Sequence, residues 1–430
     1  MRYPILLLSC LIFFGCSVEK KETVNLLECV PQNTLAVFQV NDQNMLRSAL
    51  SNLPFIEPIF ELNDDFYKEI KAVLPESFDP NALLCITPEG KAALAASFIY
   101  KASPTDSLTQ LDNSKESFTY NSIPVQVEEE GTQKIFKARV KDIYLISSSQ
   151  LVLENSIRNI QDQKKGIQDN RFFQLADVSD PNAPLNLYLH HDVRELMDRF
   201  FPKTELFPFL GSTWFSFDFN TKKDPFTLDG VSFINDSIPD KLTFLKGLEP
   251  QPLLSPDCVP QSFDSYLTLA VSDYKSLETN FKKYSRYKNI ALQEINFDAL
   301  SGVDEIALLK TKLNKALYFH ITNSEAIPPI LFSDQTPEDS YRGISISQVN
   351  FPKDLLYFLK AFGAAFNPNY VALIEDFLIY TQDKAYLKQL IGSYLDGNTL
   401  ANNFNFKSLQ EDLADRSTFL WVGNTANLKN

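Results

Sequence analysis

Three histidines, three methionines, two tryptophans and 13 glycines in 430 residues leave little room for several kinds of chemistry. Neither Gly-x-Gly-x-x-Gly nor a phosphate-loop spacing occurs; both need glycine where backbone amides close on an anion. Cys-x-x-Cys and His-Glu-x-x-His are also missing, which removes the common zinc signatures. Positive charge is in deficit, with 40 Lys and Arg against 54 Asp and Glu and a net charge of −14. Such a balance repels nucleic-acid phosphates and anionic headgroups, so no nucleic-acid partner is expected. After Phe14 no apolar run approaches the roughly 20 residues that a membrane-spanning helix requires.

The N-terminus is what stands out. Arg2 is the only charged side chain before Glu19, and Ile5 to Phe14 form an apolar stretch interrupted only by Ser9 and Cys10. A short positive region followed by an apolar core of about 7–15 residues marks a signal peptide. It ends at Phe13-Phe14-Gly15-Cys16 and turns polar at Ser17. Phe13-Phe14-Gly15-Cys16 resembles the lipobox of bacterial lipoproteins: Gly15 is the small residue before the cut, and Cys16 matches the thiol that receives diacylglycerol. The resemblance implies that residues 1–15 are removed and that Cys16 carries several acyl chains, palmitate-type. One chain binds a membrane only marginally, and stable anchoring takes two or more. Loss of Arg2 takes the charge to −15, so membrane contact must come through the N-terminal lipid. The expected location is the bacterial cell envelope, at the outer rather than the inner membrane.

Three cysteines then remain, Cys29, Cys85 and Cys258. An odd number leaves at least one unpaired in a monomer, and buried, inert thiols are expected. The body is 44% hydrophobic and 13% aromatic, with 35 Phe and 17 Tyr, a composition that suits packed strands.

The chain repeats itself, and repeats govern the fold. Glu28-Cys29-Val30-Pro31-Gln32 returns as Asp257-Cys258-Val259-Pro260-Gln261. Each is followed by an apolar strand, then Asn41-Asp42 or Ser272-Asp273, then a helix pattern (Met45, Leu46 and Leu50 in one copy, Leu277 and Phe281 in the other). Ala82-Leu83-Leu84 matches Ala307-Leu308-Leu309 at an offset of 225, which sets Cys85 against Lys310. Asp142 to Ser147 matches Asp376 to Thr381 at 234, and Asn170 to Phe173 matches Asn403 to Phe406 at 233. Leu185 to His190 matches Thr418 to Gly423, again at 233. Period-two alternation in Trp214 to Phe219 and Phe226 to Val231 predicts a hairpin across Asn220–Pro225.

The expected fold is therefore α+β, with two tandem related repeats of largely antiparallel sheets covered by helices. The parts are a signal peptide at 1–15, a lipidated tether at 16–25, a first repeat at 26–246, a Pro-rich linker at 247–257 and a second repeat at 258–430. The second repeat reads as incomplete: a helix pattern at Asp192–Phe200 and the Trp214–Phe233 hairpin follow the last shared strand in the first copy only. The Val-Pro strand openings, the polar-Asp helix starts and this hairpin resemble an uncharacterised family of bacterial lipoproteins, a domain of unknown function. That resemblance implies no transferable site residues.

Few candidate sites emerge. His190-His191-Asp192 is the one cluster with metal-ligand chemistry. Neighbouring side chains on a strand point to opposite faces, so no metal is assigned to it. His320 reads as a half-buried strand residue. Glu128-Glu129-Glu130-Gly131 reads as a solvated hairpin turn, since calcium needs convergent oxygens and not merely adjacent ones. Gly343-Ile344-Ser345-Ile346-Ser347 begins like a nucleophile elbow but lacks the closing glycine. No catalytic, cofactor or metal residue is assigned; Cys16, for lipidation, is the site residue. The function expected is non-enzymatic binding of a protein or glycan ligand, or a structural role. The alternative is an envelope or extracellular hydrolase using carboxylates from distant segments.

Overall fold

A computed structural model describes residues 25–44, 64–75, 81–90, 93–101, 116–130, 133–193, 214–220, 227–290, 297–322, 337–361, 367–411 and 413–423, together with 78, 327, 331 and 332. Residues 1–15, Cys16, the helix pattern at Met45–Leu50, nearly all of the one at Asp192–Phe200, Gly131, most of the loop after Asn220, and residues 424–430 lie outside them.

The first half contains β1 (Ala36–Val40), α1 (Asp64–Val73), β2 (Ala82–Glu89), β3 (Ala93–Lys101), β4 (Ser117–Tyr120), β5 (Ile123–Glu130), β6 (Gln133–Val140), β7 (Ile143–Ser147), α2 (Gln150–Gln161), α3 (Asn170–Val178), β8 (Leu185–His190), β9 (Trp214–Asn220) and β10 (Thr227–Ser232). The second contains β11 (Ser265–Ala270), α4 (Tyr274–Tyr287), β12 (Val303–Lys310), β13 (Lys315–Ile321), β14 (Asp339–Tyr341), β15 (Ile344–Gln348), α5 (Lys353–Ala361), β16 (Tyr370–Ile374), β17 (Phe377–Thr381), α6 (Lys384–Leu395), α7 (Phe404–Gln410) and β18 (Phe419–Gly423). The strands form two antiparallel sheets, and the fold is α+β.

The chain divides into two compact units, Met1–Thr34 with Glu69–Gln168, and Leu35–Lys68 with Asp169–Asn430. Within the first unit the strand order is β2-β3-β7-β6-β5-β4. Within the second, β10-β9-β8-β1 stand in order, and an eight-stranded sheet runs β14-β15-β16-β17-β13-β12-β11-β18. Replacing each strand of the first half by its successor in the second maps β2-β3-β7-β6-β5-β4 onto β12-β13-β17-β16-β15-β14, and the pair β8-β1 onto β18-β11.

The ladders agree residue by residue. Phe136 faces Ser147 and Val140 faces Ile143 in β6–β7; Tyr370 faces Thr381 and Ile374 faces Phe377 in β16–β17, all displaced by 234. Tyr120 opposite Ile123 becomes Tyr341 opposite Ile344. Asn121 and Ser122, with φ of 46° and 64°, turn the first of these hairpins, and Arg342 and Gly343, at 52° and 87°, turn the second. Two positive φ angles in a two-residue loop match the right-handed twist of the flanking strands.

Three matches from the sequence are corrected by one residue. The caps Asp169 and Asn403, and the buried Phe172 and Phe406, set α3 against α7 at 234 and not 233. With the 229 offset of Cys29 and Cys258 carried into β1 and β11, the ladders set Tyr188 of β8 against Val422 of β18, also at 234. Cys85 pairs with Ser97 in β2–β3, and Leu309 pairs with Ala316 in β12–β13. Ser97 faces Ser147 and Ala316 faces Thr381, so Cys85 corresponds to Leu309 and not to Lys310. Identity of Ala-Leu-Leu aligned the strands one residue out of phase, which would send every side chain to the wrong face. Both Cys85 and Leu309 are fully buried.

Among the described residues two differences concern the sheets. Only residues 131 and 132 separate β5 from β6, whereas α5 lies between β15 and β16. The β9–β10 hairpin has no counterpart among the described residues of the second copy, whose sheet ends on β18.

The eight-stranded sheet is buried on both faces. Odd and even positions of a strand point opposite ways: Leu308, Leu317, Phe319 and Leu378 pack with α4 and α5, while Leu309, Tyr318 and Ile379 pack with α6 and α7. Helix α6 buries Tyr386, Leu387, Leu390 and Ile391. Helix α2 buries Val152, Leu153, Ser156 and Ile157, the same stripe 234 positions earlier. In the first unit Gly166 is sterically required, because a Cβ there would stand 1.7 Å from the Val30 carbonyl oxygen.

Before Cys258 a 3-10 turn, Ser255–Asp257, is fixed by a buried carboxylate. Glu305 sits where β12 shifts register against β13, and is 3% exposed. It accepts the amides of Leu254 (2.6 Å) and Ser255 (3.1 Å) and the hydroxyl of Thr268 (2.6 Å), and also bonds Ser255 Oγ. A buried charge is tolerated only with such saturation.

Candidate metal centre and other sites

Strand β8 ends at His190, and the chain turns at His191 and Asp192. That ending undoes the reasoning by which neighbouring histidines point apart: alternation stops with the strand. The two imidazole rings lie 4.2 Å apart, centroid to centroid. Asp192 closes the group, with Oδ2 3.3 Å from His190 Nδ1 and Oδ1 3.0 Å from His191 Nε2. The Asp192 amide also points at His190 Nδ1, at 3.4 Å. One ligand atom from each residue falls within 4.8 Å of the others.

The surroundings fix one ring more firmly than the other. His190 pairs across the ladder with Trp214, and its ring stands 5.1 Å from the indole. Trp214 in turn packs on Phe172 of α3 at 4.8 Å. Burial lowers the His190 pKa, and the neighbouring His191 lowers it further against the pull of Asp192 and Asp169. The lowering favours the neutral ring, the form that binds metals. Asp169 caps α3 and holds Arg171 through three contacts of 2.8–3.2 Å, which keeps its carboxyl below the usual range despite burial. His191 Nδ1 is buried and has no hydrogen-bond partner among the described residues.

His320 takes another environment. Its Nδ1 lies 2.5 Å from Asp304 Oδ1, and its ring packs on Phe377 at 4.8 Å. Burial alone would lower its pKa, but the bond to Asp304 prevails and raises it. Asp304 borders a cleft of about 410 Å³ together with Asp273, Tyr274 and Thr322. Asp273 is committed to capping α4, accepting the Lys275 amide at 3.0 Å and the Ser276 hydroxyl at 2.6 Å.

The remaining candidates fall to the fold. Glu128 and Glu129 lie on β5, where Lys137 reaches the first at 2.6 Å and Lys134 the second at 3.9 Å. Ser345 is a strand residue inside β15, paired with Ser340 of β14; α5 begins only at Lys353, so Ser345 does not sit on the strand-to-helix turn that an elbow requires. Cys29, Cys85 and Cys258 are free and buried. Cys16, the lipidation site, lies outside the described residues.

No known family profile matches the chain, and no curated protein does. Two solved structures show a distant likeness, both of the Treponema protein TP0453. Crystal form I aligns with a TM-score of 0.27 at 11% identity, covering 87% of this chain and 99% of the other. Crystal form III gives 0.24 at 10%, covering 87% and 100%. Likeness of that size says nothing about function.

Proposed function

We propose that the chain is a lipid-anchored protein of the bacterial cell envelope whose duplicated body binds a protein or glycan, or serves structurally. The observation that carries this reading is the N-terminal sequence: one positive charge, a ten-residue apolar core and a polar turn immediately after Gly15-Cys16. Net negative charge supports an anchor made of lipid and not of a basic face. Buried helices and strands supply a body with a full core of its own, so the anchor need only tether it.

The hydrolase alternative calls for two carboxylates about 5–10 Å apart and available to a substrate. In the cleft beside β12 the two aspartates are already engaged, Asp273 by a helix start and Asp304 by His320. Nothing there favours that reading.

Mass spectrometry of the mature N-terminus tests the anchor. An acylated Cys16 as first residue is expected, and Cys16→Ser should release the body or leave an uncleaved precursor. An unmodified Cys16, or a start elsewhere, would refute it. Crosslinking and pull-down of the native protein from its own membranes then identify the partner.

A further inference from the structure

The geometry points to a divalent transition-metal site at His190, His191 and Asp192, taking zinc or a similar borderline ion.

Three observations carry it. The first is distance. Ligands 2.0–2.1 Å from a tetrahedral zinc stand about 3.3 Å from one another. Asp192 already holds its oxygens 3.3 Å from His190 Nδ1 and 3.0 Å from His191 Nε2. All three donors lie within 4.8 Å, so modest side-chain rotation converges them on one ion. The second is donor chemistry. Two imidazoles and one carboxylate suit zinc, cobalt or nickel, whereas calcium and magnesium prefer oxygens alone. Three protein ligands leave a fourth position for water or an incoming ligand. The third is the ring of His191: its Nδ1 meets no donor or acceptor among the described residues, so no hydrogen bond at that nitrogen holds the ring against turning Nε2 toward an ion.

The fold itself does not ask for these residues. Continuing the offset of 234 beyond β8 and β18 brings His190, His191 and Asp192 onto Asn424, Thr425 and Ala426, none of which matches a histidine or a carboxylate. The cluster belongs to the copy that also carries the β9–β10 hairpin, and it sits where that hairpin joins. Trp214, the first residue of β9, pairs with His190 and packs on its ring. The nearby positive charge of Arg171 is neutralised by Asp169.

The chain contains only three histidines, which makes the test direct. Full-length protein, freed of metal by a chelator, is titrated with Co2+ and separately with Zn2+. One Co2+ per chain with the visible spectrum of a tetrahedral site is expected. Zn2+ should move the ring resonances of two histidines and leave the third, His320, in place. Asp192→Asn and His191→Gln should each weaken binding by roughly tenfold or more, while His320→Gln leaves it unchanged. Asp192 is 59% exposed at its side chain, so its variant keeps the fold and decides the question even if a histidine variant does not fold. Binding as tight in Asp192→Asn as in the parent, or no stoichiometric Co2+ at all, would overturn the proposal. So would a Zn2+ response confined to His320.

Discussion

Ser149 and Asp383 stand 234 positions apart and perform one task. Ser149 Oγ accepts the Val152 amide at 3.3 Å to open α2, and Asp383 Oδ1 accepts the Tyr386 amide at 2.7 Å to open α6. Both helices run twelve residues and follow β7 or β17 after the same gap. The side chain changed between copies while its function as a cap was kept.

The two caps should respond differently to exchange. Asp383→Ala is expected to cost about 1 kcal/mol, the usual worth of a cap, and Asp383→Ser much less. Ser149→Asp should be the worse change, because Ser149 Oγ also donates to Glu89 Oε1 at 2.7 Å and a carboxylate there would meet like charge. Denaturant unfolding of the three variants measures this. Equal effects of Asp383→Ser and Ser149→Asp would contradict it.

Removing the Glu305 carboxylate leaves the Leu254 and Ser255 amides and the Thr268 hydroxyl without this acceptor, while Ser255 Oγ keeps its contact with Tyr266 Oη. Each unsatisfied buried group costs about 1–3 kcal/mol, so Glu305→Ala should lose about 3 kcal/mol or more. Glu305→Gln, which keeps one acceptor, should fall between. A Glu305→Ala loss under about 0.5 kcal/mol in equilibrium unfolding would show that the carboxylate does not hold the turn.

The His320 pKa is raised above 6.5 in the folded chain, because its bond to Asp304 outweighs burial. A folded value above the unfolded one means that the protonated ring stabilises the fold. That contribution is complete below pH 6.5 and disappears as pH rises through the raised value. The stability difference between parent and His320→Gln should therefore be larger near pH 5.5 than near pH 8.5 (both approximate). A difference that is flat, or grows with pH, would reverse the assignment.

Cys29, Cys85 and Cys258 should resist alkylation in the folded protein. Burial pushes the Cys29 thiol up to about 12, with Glu28 adding to it, and raises the other two as well. The thiolate is the reactive form. Unfolding without reductant should expose three thiols from these positions; one would mean that a disulfide exists.

Much of the duplication could be read from residues alone. Ile143 and Phe377 begin corresponding strands because a short apolar run after an Asp-containing turn and before a cap permits few placements. Cys85 went astray for a physical reason: β2 is buried along most of its length, so hydrophobicity gives no phase, and a shared Ala-Leu-Leu is equally good one residue over. Helix α5 was hidden for a related reason, since an insertion between paired strands leaves both strand patterns intact. The His190–Asp192 corner escaped because its geometry depends on where β8 stops, and strand ends are set by the turn after them, not by the alternating pattern before.

The closing strands of the two copies carry one further consequence. Val37 faces Tyr188 in β1–β8, and at the corresponding place Tyr266 faces Val422 in β11–β18. The large and small partners have changed sides. A nascent chain holding two ladders of the same topology risks joining the strands of one copy to those of the other. Here such a crossing would set Val37 against Val422, leaving a void, and Tyr188 against Tyr266, crowding two rings into a space shaped for one. Each native pairing fills its space with one ring and one branched aliphatic side chain, so shape complementarity sorts β1 to β8 and β11 to β18 while the polypeptide is still assembling.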